Sequence, residues 1–538
     1  MKRLIWVILL SSAITIQAQN PYFEISKQME IYSDVLKLLS TNYIDDLNFG
    51  DLMQKNTRKM LNGLDRFTTF YDEQGILNQK MRQEGHFGGL GINIKILDSA
   101  IVITDIFKNS PASDAFNIGD KIIEIDGQKI SEISRRLSSD LLKGKAGSEV
   151  SLLIDRNGKK LSKKVKRADI QLDAVTGTYL DGDIGYIHFV KFNKKAARQV
   201  KKALLDLKTE GAKKIIIDVR GNPGGLLNEV IKIVNFFIPK GQVVVTTKGR
   251  FEKYNRTYRT KNEPVDEQIP VVILVNNRSA SASEILSGAL QDYDRAVIIG
   301  DTTYGKGLVQ RTFKVKYGTY MKQTISKYYI PSGRLIQKID YWHRDKNGKP
   351  LMMRQNLAEK TFKTTNGRIV HNLGGVVPDI VLHPQPDESL IKDVINKNIL
   401  FDFATRYFYT HQKPDHLKDF KLTDADFESF LNYIQAHQKP QSTAEKLVVE
   451  AYKKAQKEQQ KPVVLEQYKT LLNAYKKQDT DLLKKHKSYL LQQLAFDLVN
   501  RYFGPEILIQ YKMQTDPVIL KAKSVLNNPA AYKKILHQ

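Results

Sequence analysis

Three short segments of this 538-residue chain carry side chains whose types and spacing could do chemistry. Ser279-Ala280-Ser281-Ala282-Ser283-Glu284 follows the Val-rich run 271–275 and opens an apolar helical stretch, residues 285–290. Small residues at a strand-to-helix turn leave a hydroxyl exposed and the first helical N–H groups unpaired, where negative charge is favoured. Such a turn suits an acyl-transfer nucleophile; it also suits three serines that only cap a helix. Thr303-Tyr304-Gly305-Lys306-Gly307-Leu308-Val309-Gln310 sets one lysine between glycines, and in an extended segment Lys306 and Gln310 point the same way. Lysine can replace histidine as the general base for serine where burial leaves the amine neutral; a solvated surface lysine is the plainer account. Ile215-Ile216-Ile217-Asp218-Val219-Arg220-Gly221-Asn222-Pro223-Gly224-Gly225 is a buried-strand pattern running into a Gly-rich loop. That loop could aim a backbone N–H at a developing oxyanion, or be an ordinary turn or anion cradle.

What the chain lacks narrows the chemistry. There is no His-Glu-x-x-His, no Gly-x-Ser-x-Gly and no Gly-x-x-x-x-Gly-Lys-Ser/Thr, which disfavours zinc proteases, α/β-hydrolases and P-loop enzymes. Ser389-Leu390-Ile391-Lys392 matches Ser-x-x-Lys but opens the helical tail without partner motifs. With no cysteine, disulfides, thiolate metal sites and a Cys nucleophile are excluded. A nucleophile must be oxygen or nitrogen. No metal, nucleotide or other cofactor is implied.

These segments need elements to hold them. The short Val/Ile-rich runs 184–189, 214–219, 271–275 and 296–299 are interleaved with helical stretches such as 196–207, the pattern of buried strands in an α/β unit. Ahead of it, Gly88-Gly89-Leu90-Gly91 precedes alternating Ile92, Ile94 and Ile96, and β-like runs follow at 101–103, 121–125 and 150–154, with hairpin-type turns at Asp126-Gly127 and Asn157-Gly158. Residues 21–77 repeat apolar positions at helical spacing (Met29, Tyr32, Val35, Leu36, Leu39). From 387 onward the chain is rich in Leu, Lys, Gln, Tyr and Glu and reads as helices; one begins at Thr423, with Asp426 as capping-box partner and Phe427, Phe430, Leu431 and Ile434 on one face.

In this order the motifs resemble those of the C-terminal processing peptidases, or tail-specific proteases, serine peptidases with a Ser-Lys dyad and a PDZ domain. The resemblance runs over residues 21–385 through Asp65-Arg66-Phe67-Thr68-Thr69-Phe70, Phe87-Gly88-Gly89-Leu90-Gly91-Ile92, Ser110-Pro111-Ala112, Gly119-Asp120-Lys121-Ile122, Ile125-Asp126-Gly127, 218–225, 279–284, Gly305-Lys306-Gly307, Pro331-Ser332-Gly333-Arg334 and Pro378-Asp379-Ile380. It implies an α/β peptidase core with a β-rich PDZ domain, an α-helical N-terminal lead-in and an α-helical C-terminal extension. The bounds expected are 19–83 for the lead-in, 84–170 for the PDZ domain, 171–386 for the core and 387–538 for the Lys-rich extension. By family spacing Ser281 is the nucleophile, Lys306 the base and Gln310 the residue that orients it. The oxyanion hole maps onto the N–H of Ala282 and of Gly224 or Gly225, and Asp292 falls on a position whose role looks structural. The sequence departs from the family with Gly89 in the PDZ loop and Phe116-Asn117-Ile118 before Gly119.

The PDZ residues read the same way from chemistry. A Gly-Leu-Gly-Ile loop offers successive N–H groups to a terminal carboxylate while the next strand adds the peptide as an extra strand, so Gly89, Leu90, Gly91 and Ile92 are the expected peptide-binding residues. Arg156, near a strand end, is the candidate for passing occupancy to the core; a solvated turn residue is the alternative. Lys2-Arg3, the apolar 4–10 and a cleavage point after Ala18 form a secretory signal, 1–18, which places the mature protein in the periplasm or cell envelope.

Composition, at 41% hydrophobic and 26% charged, is that of a globular protein. Lys+Arg 84 against Asp+Glu 58 gives +26, but the lysines are spread over helical faces without interleaved stacking aromatics, and with export this argues against a nucleic-acid partner. The expected partners are polypeptides with free C-termini. An adaptor or activating protein and homo-oligomer assembly stay open. The competing function is a PDZ-type envelope scaffold whose peptidase core is latent until a partner binds.

Overall fold

A computed structural model describes residues 21–97, 99–353, 360–372, 374–437 and 440–538; the segment 1–18, expected from sequence to be a secretory signal, lies outside them. The chain divides into two compact units, Met1–Phe70 and Tyr71–Gln538. In the first, helices Pro21–Asn42 and Phe49–Asn62 occupy the helical lead-in, with Tyr22, Phe23, Met29 and Leu38 of the first helix exposed. The Asp65-Arg66-Phe67-Thr68 motif closes on itself: the Asp65 carboxylate accepts the Phe67 and Thr68 N–H groups and the Thr68 hydroxyl.

The second unit is built on a sheet ordered Val175–Asp181, Ile184–Phe189, Lys214–Asp218, Val271–Val275, Ala296–Gly300, Ile380–Val381. Its first pair is antiparallel and the rest parallel. Alternation assigns each residue a face. Ile215, Ile217, Val271, Ile273 and Val275 pack with helices Ala196–Thr209, Leu227–Val234 and Ala282–Asp292. Ile216, Val272, Leu274, Val297 and Ile299 face the other way and pack on Ile509, Met513, Val518, Ile519 and Ala522, from the helices Pro505–Thr515 and Pro517–Leu526. The end of the tail is thus no appendage. Strands apolar on both faces need cover on both, each buried Val, Leu or Ile being worth about 1.5–3 kcal/mol, and the last helices supply the second cover. The middle of the tail has its own core, in which Phe427, Phe430, Leu431 and Ile434 pack as their spacing predicts, behind the Thr423–Asp426 capping box.

The β-rich module is a sheet ordered Ile92–Ile96, Ile101–Ile106, Lys121–Ile125, Glu149–Arg156, Lys159–Lys166 around a core of Leu90, Ile101, Ile103, Ile122, Ile125 and Ile154. Ile92–Ile96 is an edge strand, paired on one side only. Among the described residues no helix is long and apolar enough to cross a membrane.

Candidate active site

Ser281 sits between strand Val271–Val275 and helix Ala282–Asp292 with φ 55° and ψ −111°. Positive φ in a residue with a Cβ is strained by roughly 1–3 kcal/mol and persists only where the surroundings impose it. Here they do. The Ser281 N–H donates to Glu284 Oε2 at 2.7 Å, and the Ser281 carbonyl accepts from the Tyr328 hydroxyl at 3.2 Å and from the helical N–H groups of Glu284 and Ile285. The neighbouring serines do different work. Ser279 Oγ donates to the Val219 carbonyl and Ser283 Oγ to that of Asn222, both hydroxyls fully buried, so they fasten the turn to the 219–225 loop while Ser281 alone of the three keeps partial exposure.

Glu284 is the hub. Fully buried, it accepts Thr303 Oγ1 (2.6 Å) and Gly305 N–H (2.6 Å) on Oε1, and Ser281 N–H (2.7 Å) and Lys306 N–H (2.9 Å) on Oε2. One carboxylate oxygen therefore holds the backbone of both Ser281 and Lys306. Burial pushes the Glu284 pKa up, and the four donors work against that rise. The spacing Ser281-x-x-Glu284 is a capping-box signature, which could have drawn attention to this residue; sequence reasoning assigned it no role.

Ser281, Ala282, Lys306, Gln310, Gly224 and Gly225 all line one cavity of about 400 Å³, with Phe192, Ile285, Leu308 and Tyr328 as its apolar walls. Lys306 lies in the loop before strand Leu308–Lys314, and a register shift falls between Val309 and Gln310, yet both Lys306 and Gln310 border the cavity. Gln310 Nε2 donates to Thr324 Oγ1 at 3.2 Å.

The two glycines part company. Gly224 has φ +90°, and a Cβ there would stand 2.5 Å from the Ala280 carbonyl oxygen and 2.8 Å from Ala282 N, so only glycine lets the loop lie against the serine turn. Its N–H, however, is spent on Asn222 Oδ1 at 2.9 Å. The N–H groups of Gly225 and Ala282 donate to nothing among the described residues. Of the pair expected from sequence, Gly225 rather than Gly224 has the donor to offer an oxyanion. The loop is anchored at its start: Arg220 pairs with Asp218 (2.6 Å) and, from the tail, with Asp516 (2.9 Å), all three largely buried. Burial alone would raise the Asp218 pKa, but the charge and hydrogen bonds of Arg220 outweigh it and hold Asp218 at about 2. Asp292, at the far end of the serine helix, is buried against Arg334 (2.9 Å) and the Ser332 N–H, a structural place.

A second cavity, of about 340 Å³, lies along the open edge of the β-module between Ile92, Asn93 and Ile94 and helix Arg135–Leu141 with its following Leu142. Leu90, Gly91 and Ile92 line it. The carbonyls of Leu90 and Gly91 accept from Ala112 and Phe107, while their N–H groups donate to nothing among the described residues. Gly89 instead pairs with Ala168 in a strand outside the cavity wall. Arg156 is also elsewhere: its guanidinium is held by Asp120 (2.7 and 2.9 Å) and the Ala115 carbonyl, inside the module and away from this cavity. A terminal strand position says nothing about which way a long side chain turns, and the buried Asp120 captures it.

Comparison with known proteins agrees with this architecture. Residues 183–341 match peptidase family S41, residues 88–166 a PDZ domain, and residues 390–526 the C-terminal helical domain of a probable PDZ-protease. A carboxy-terminal-processing protease of Bartonella bacilliformis is 33% identical over 340 residues, 62% of this chain and 77% of that protein. The carboxy-terminal processing protease CtpB of Bacillus subtilis is 33% identical over 322 residues, 59% of this chain and 67% of that protein. A solved photosystem II D1 C-terminal processing protease shares 24% identity over 66% of this chain and 88% of its own, with a TM-score of 0.38, too loose a superposition to argue from. A strained serine capping the start of a buried helix, beside a PDZ module with an open edge, is thus found in a chain that belongs to the carboxy-terminal-processing proteases, serine-type peptidases of family S41.

Proposed function

We propose that this serine peptidase is exported and captures polypeptide C-termini at its PDZ edge. It then cuts the captured chain nearby with a Ser281–Lys306 dyad. The observation that carries this is the meeting of Ser281, Lys306, Gln310 and the undonated N–H groups of Ala282 and Gly225 on one cavity, with Glu284 tying serine and lysine to a single oxygen. Ser281 Oγ attacks the scissile carbonyl carbon as the neutral Lys306 amine takes the hydroxyl proton. The carbonyl oxygen gains negative charge and is met by the N–H groups of Ala282 and Gly225. Collapse breaks the C–N bond, and Lys306 passes the proton to the leaving amine. Water then attacks the acyl-enzyme, giving one proton to Lys306, which returns it to the Ser281 oxygen as the acid departs. Gln310 steadies the lysine head. Capture rests on the Leu90 and Gly91 N–H groups as a carboxylate cradle, with the peptide added beside Ile92–Ile96. The segment 1–18 is the support for export.

The test is direct. The mature protein and its Ser281→Ala form are incubated with an unfolded protein, and with one peptide as free acid and as amide. Fragments from the first form only, and slower cutting of the amide through weaker binding, are expected. No fragments from either would favour a latent PDZ scaffold; equal rates on acid and amide would remove the capture step.

A further inference from the structure

The catalytic cavity and the PDZ cavity share two wall residues, Arg82 and Lys191. Arg82 stands in the last turn of helix Glu73–Glu84, and Lys191 follows strand Ile184–Phe189. The segments that carry them are tied together: Lys194 N–H donates to the Gln83 carbonyl and Lys195 Nζ to the Gly85 carbonyl. Among the described residues neither cation meets a carboxylate. The nearby acids are already engaged, Glu84 with Lys194 and His86, Asp169 with His86, and Asp140 with Lys143. Among the described residues no Asp or Glu lines either cavity, whereas Arg82, Lys143, Lys191, Lys306 and Lys322 do. Burial pushes the Lys191 pKa down, and the Arg82 charge adds to that, as expected of two like charges with no counter-ion between them.

Resting on the proposed capture and cleavage, we infer that Arg82 and Lys191 form a carboxylate-binding subsite that takes an acidic side chain of the substrate between its captured C-terminus and the scissile bond. A chain running from the PDZ edge to Ser281 passes the residues common to both cavities. An Asp or Glu there finds two cations without partners, one a planar donor fork and one a compact ammonium. A Lys or Arg at the same place meets like charge from the exposed Arg82 and the half-buried Lys191. The substrates favoured are therefore polypeptides with an acidic segment just before the C-terminus, and the selectivity is electrostatic, weakening as salt rises.

The experiment uses free-acid peptides identical except for Glu, Gln or Lys at successive positions between the cut and the C-terminus, with kcat/KM measured on the full mature protein. At one or two positions Glu should exceed Gln by roughly twofold to fivefold, the range expected for ion pairs that keep some solvent. The ratio should shrink at high salt. In Arg82→Gln/Lys191→Gln it should fall to about one, and in Arg82→Glu/Lys191→Glu the Lys peptide should become preferred, with circular dichroism checking that each variant is folded. A wild-type ratio near one at every position overturns the subsite, as does a preference that the double variants leave unchanged. Either result with free-acid peptides still cut faster than amides, and Ser281→Ala inactive, defeats this subsite alone. Activity in Ser281→Ala, or indifference to amidation, defeats the capture-and-cleavage reading beneath it.

Discussion

Replacing Glu284 by Gln isolates what holds the proposed nucleophile, Ser281, and the proposed base, Lys306, together. The carboxylate accepts four hydrogen bonds of 2.6–2.9 Å, two on each oxygen, from Ser281, Lys306, Thr303 and Gly305. The glutamine amide fills the same volume but presents an NH₂ where one oxygen stood, facing two donors. Leaving two buried donors unmet costs about 2–6 kcal/mol, at 1–3 kcal/mol each. Relief of the burial penalty that raises the Glu284 pKa returns part of it, so a net loss of about 2–4 kcal/mol is expected. In the unit Tyr71–Gln538, whose size sets an unfolding entropy of about 1 kcal/mol/K, thermal unfolding should move down by about 2–4 °C. If the NH₂ takes the Oε2 place, the Ser281 and Lys306 backbones lose their common tether; a misplacement of about 1 Å costs roughly a hundredfold in kcat. KM for a free-acid peptide should change little, because the proposed Leu90–Gly91 cradle is untouched. Melting curves and steady-state cleavage on the same preparation read both effects. A variant with wild-type Tm and kcat within about threefold, less than ~1 kcal/mol of barrier, would show that the four bonds do not set the dyad geometry.

Ser281→Ala and Lys306→Ala should each abolish proteolysis in a folded protein, and the double variant should be no worse, since nucleophile and base act as a unit. Ser279→Ala and Ser283→Ala should remain active but lose about 1 kcal/mol of stability each, for their buried hydroxyls bond to the Val219 and Asn222 carbonyls; a dead Ser279→Ala beside an active Ser281→Ala would reverse the assignment. Activity should rise towards alkaline pH as a lysine loses its proton, and a profile governed by a group near pH 6.5 and lost on mutating a His would reject the dyad. Asp218, held at about 2 by Arg220 against its burial, stabilises the fold fully above its unfolded pKa of about 3.9, and that contribution is lost as pH falls through 4 towards 2. It amounts to roughly 2.5 kcal/mol. Urea unfolding against pH should show this slope in the wild type and not in Asp218→Asn.

Much here was set by local pattern. Short Val/Ile runs named the four inner strands of the sheet, because a strand covered on both faces has no polar side to show; the edge strands Val175–Asp181 and Ile380–Val381 carry no such run. Ser279 to Glu284 named a strand-to-helix turn through its small residues, and the Gly-Leu-Gly-Ile loop before an alternating strand named the place proposed for a terminal carboxylate. The resemblance, carried by ordered motifs, singled out Ser281 and Lys306. What periodicity and spacing could not supply is which distant groups meet. Glu284 reads as a helix cap until Thr303, Gly305 and Lys306 fold back onto it from across strand Ala296–Gly300. Gly224 and Gly225 are equivalent in sequence until the Asn222 side chain claims one N–H. Arg156 suited peptide sensing until Asp120, 36 residues earlier, held it inside the module. The Lys-rich tail reads as a separate extension until Ile509, Met513 and Val518 close the open face of the sheet and Asp516 reaches Arg220. Nothing about residues 82 and 191 marks them as neighbours. Side-chain order along the chain encodes local conformation and amphipathic faces, whereas pairing of groups a hundred residues apart is decided by how those faces pack, and only the folded chain supplies that.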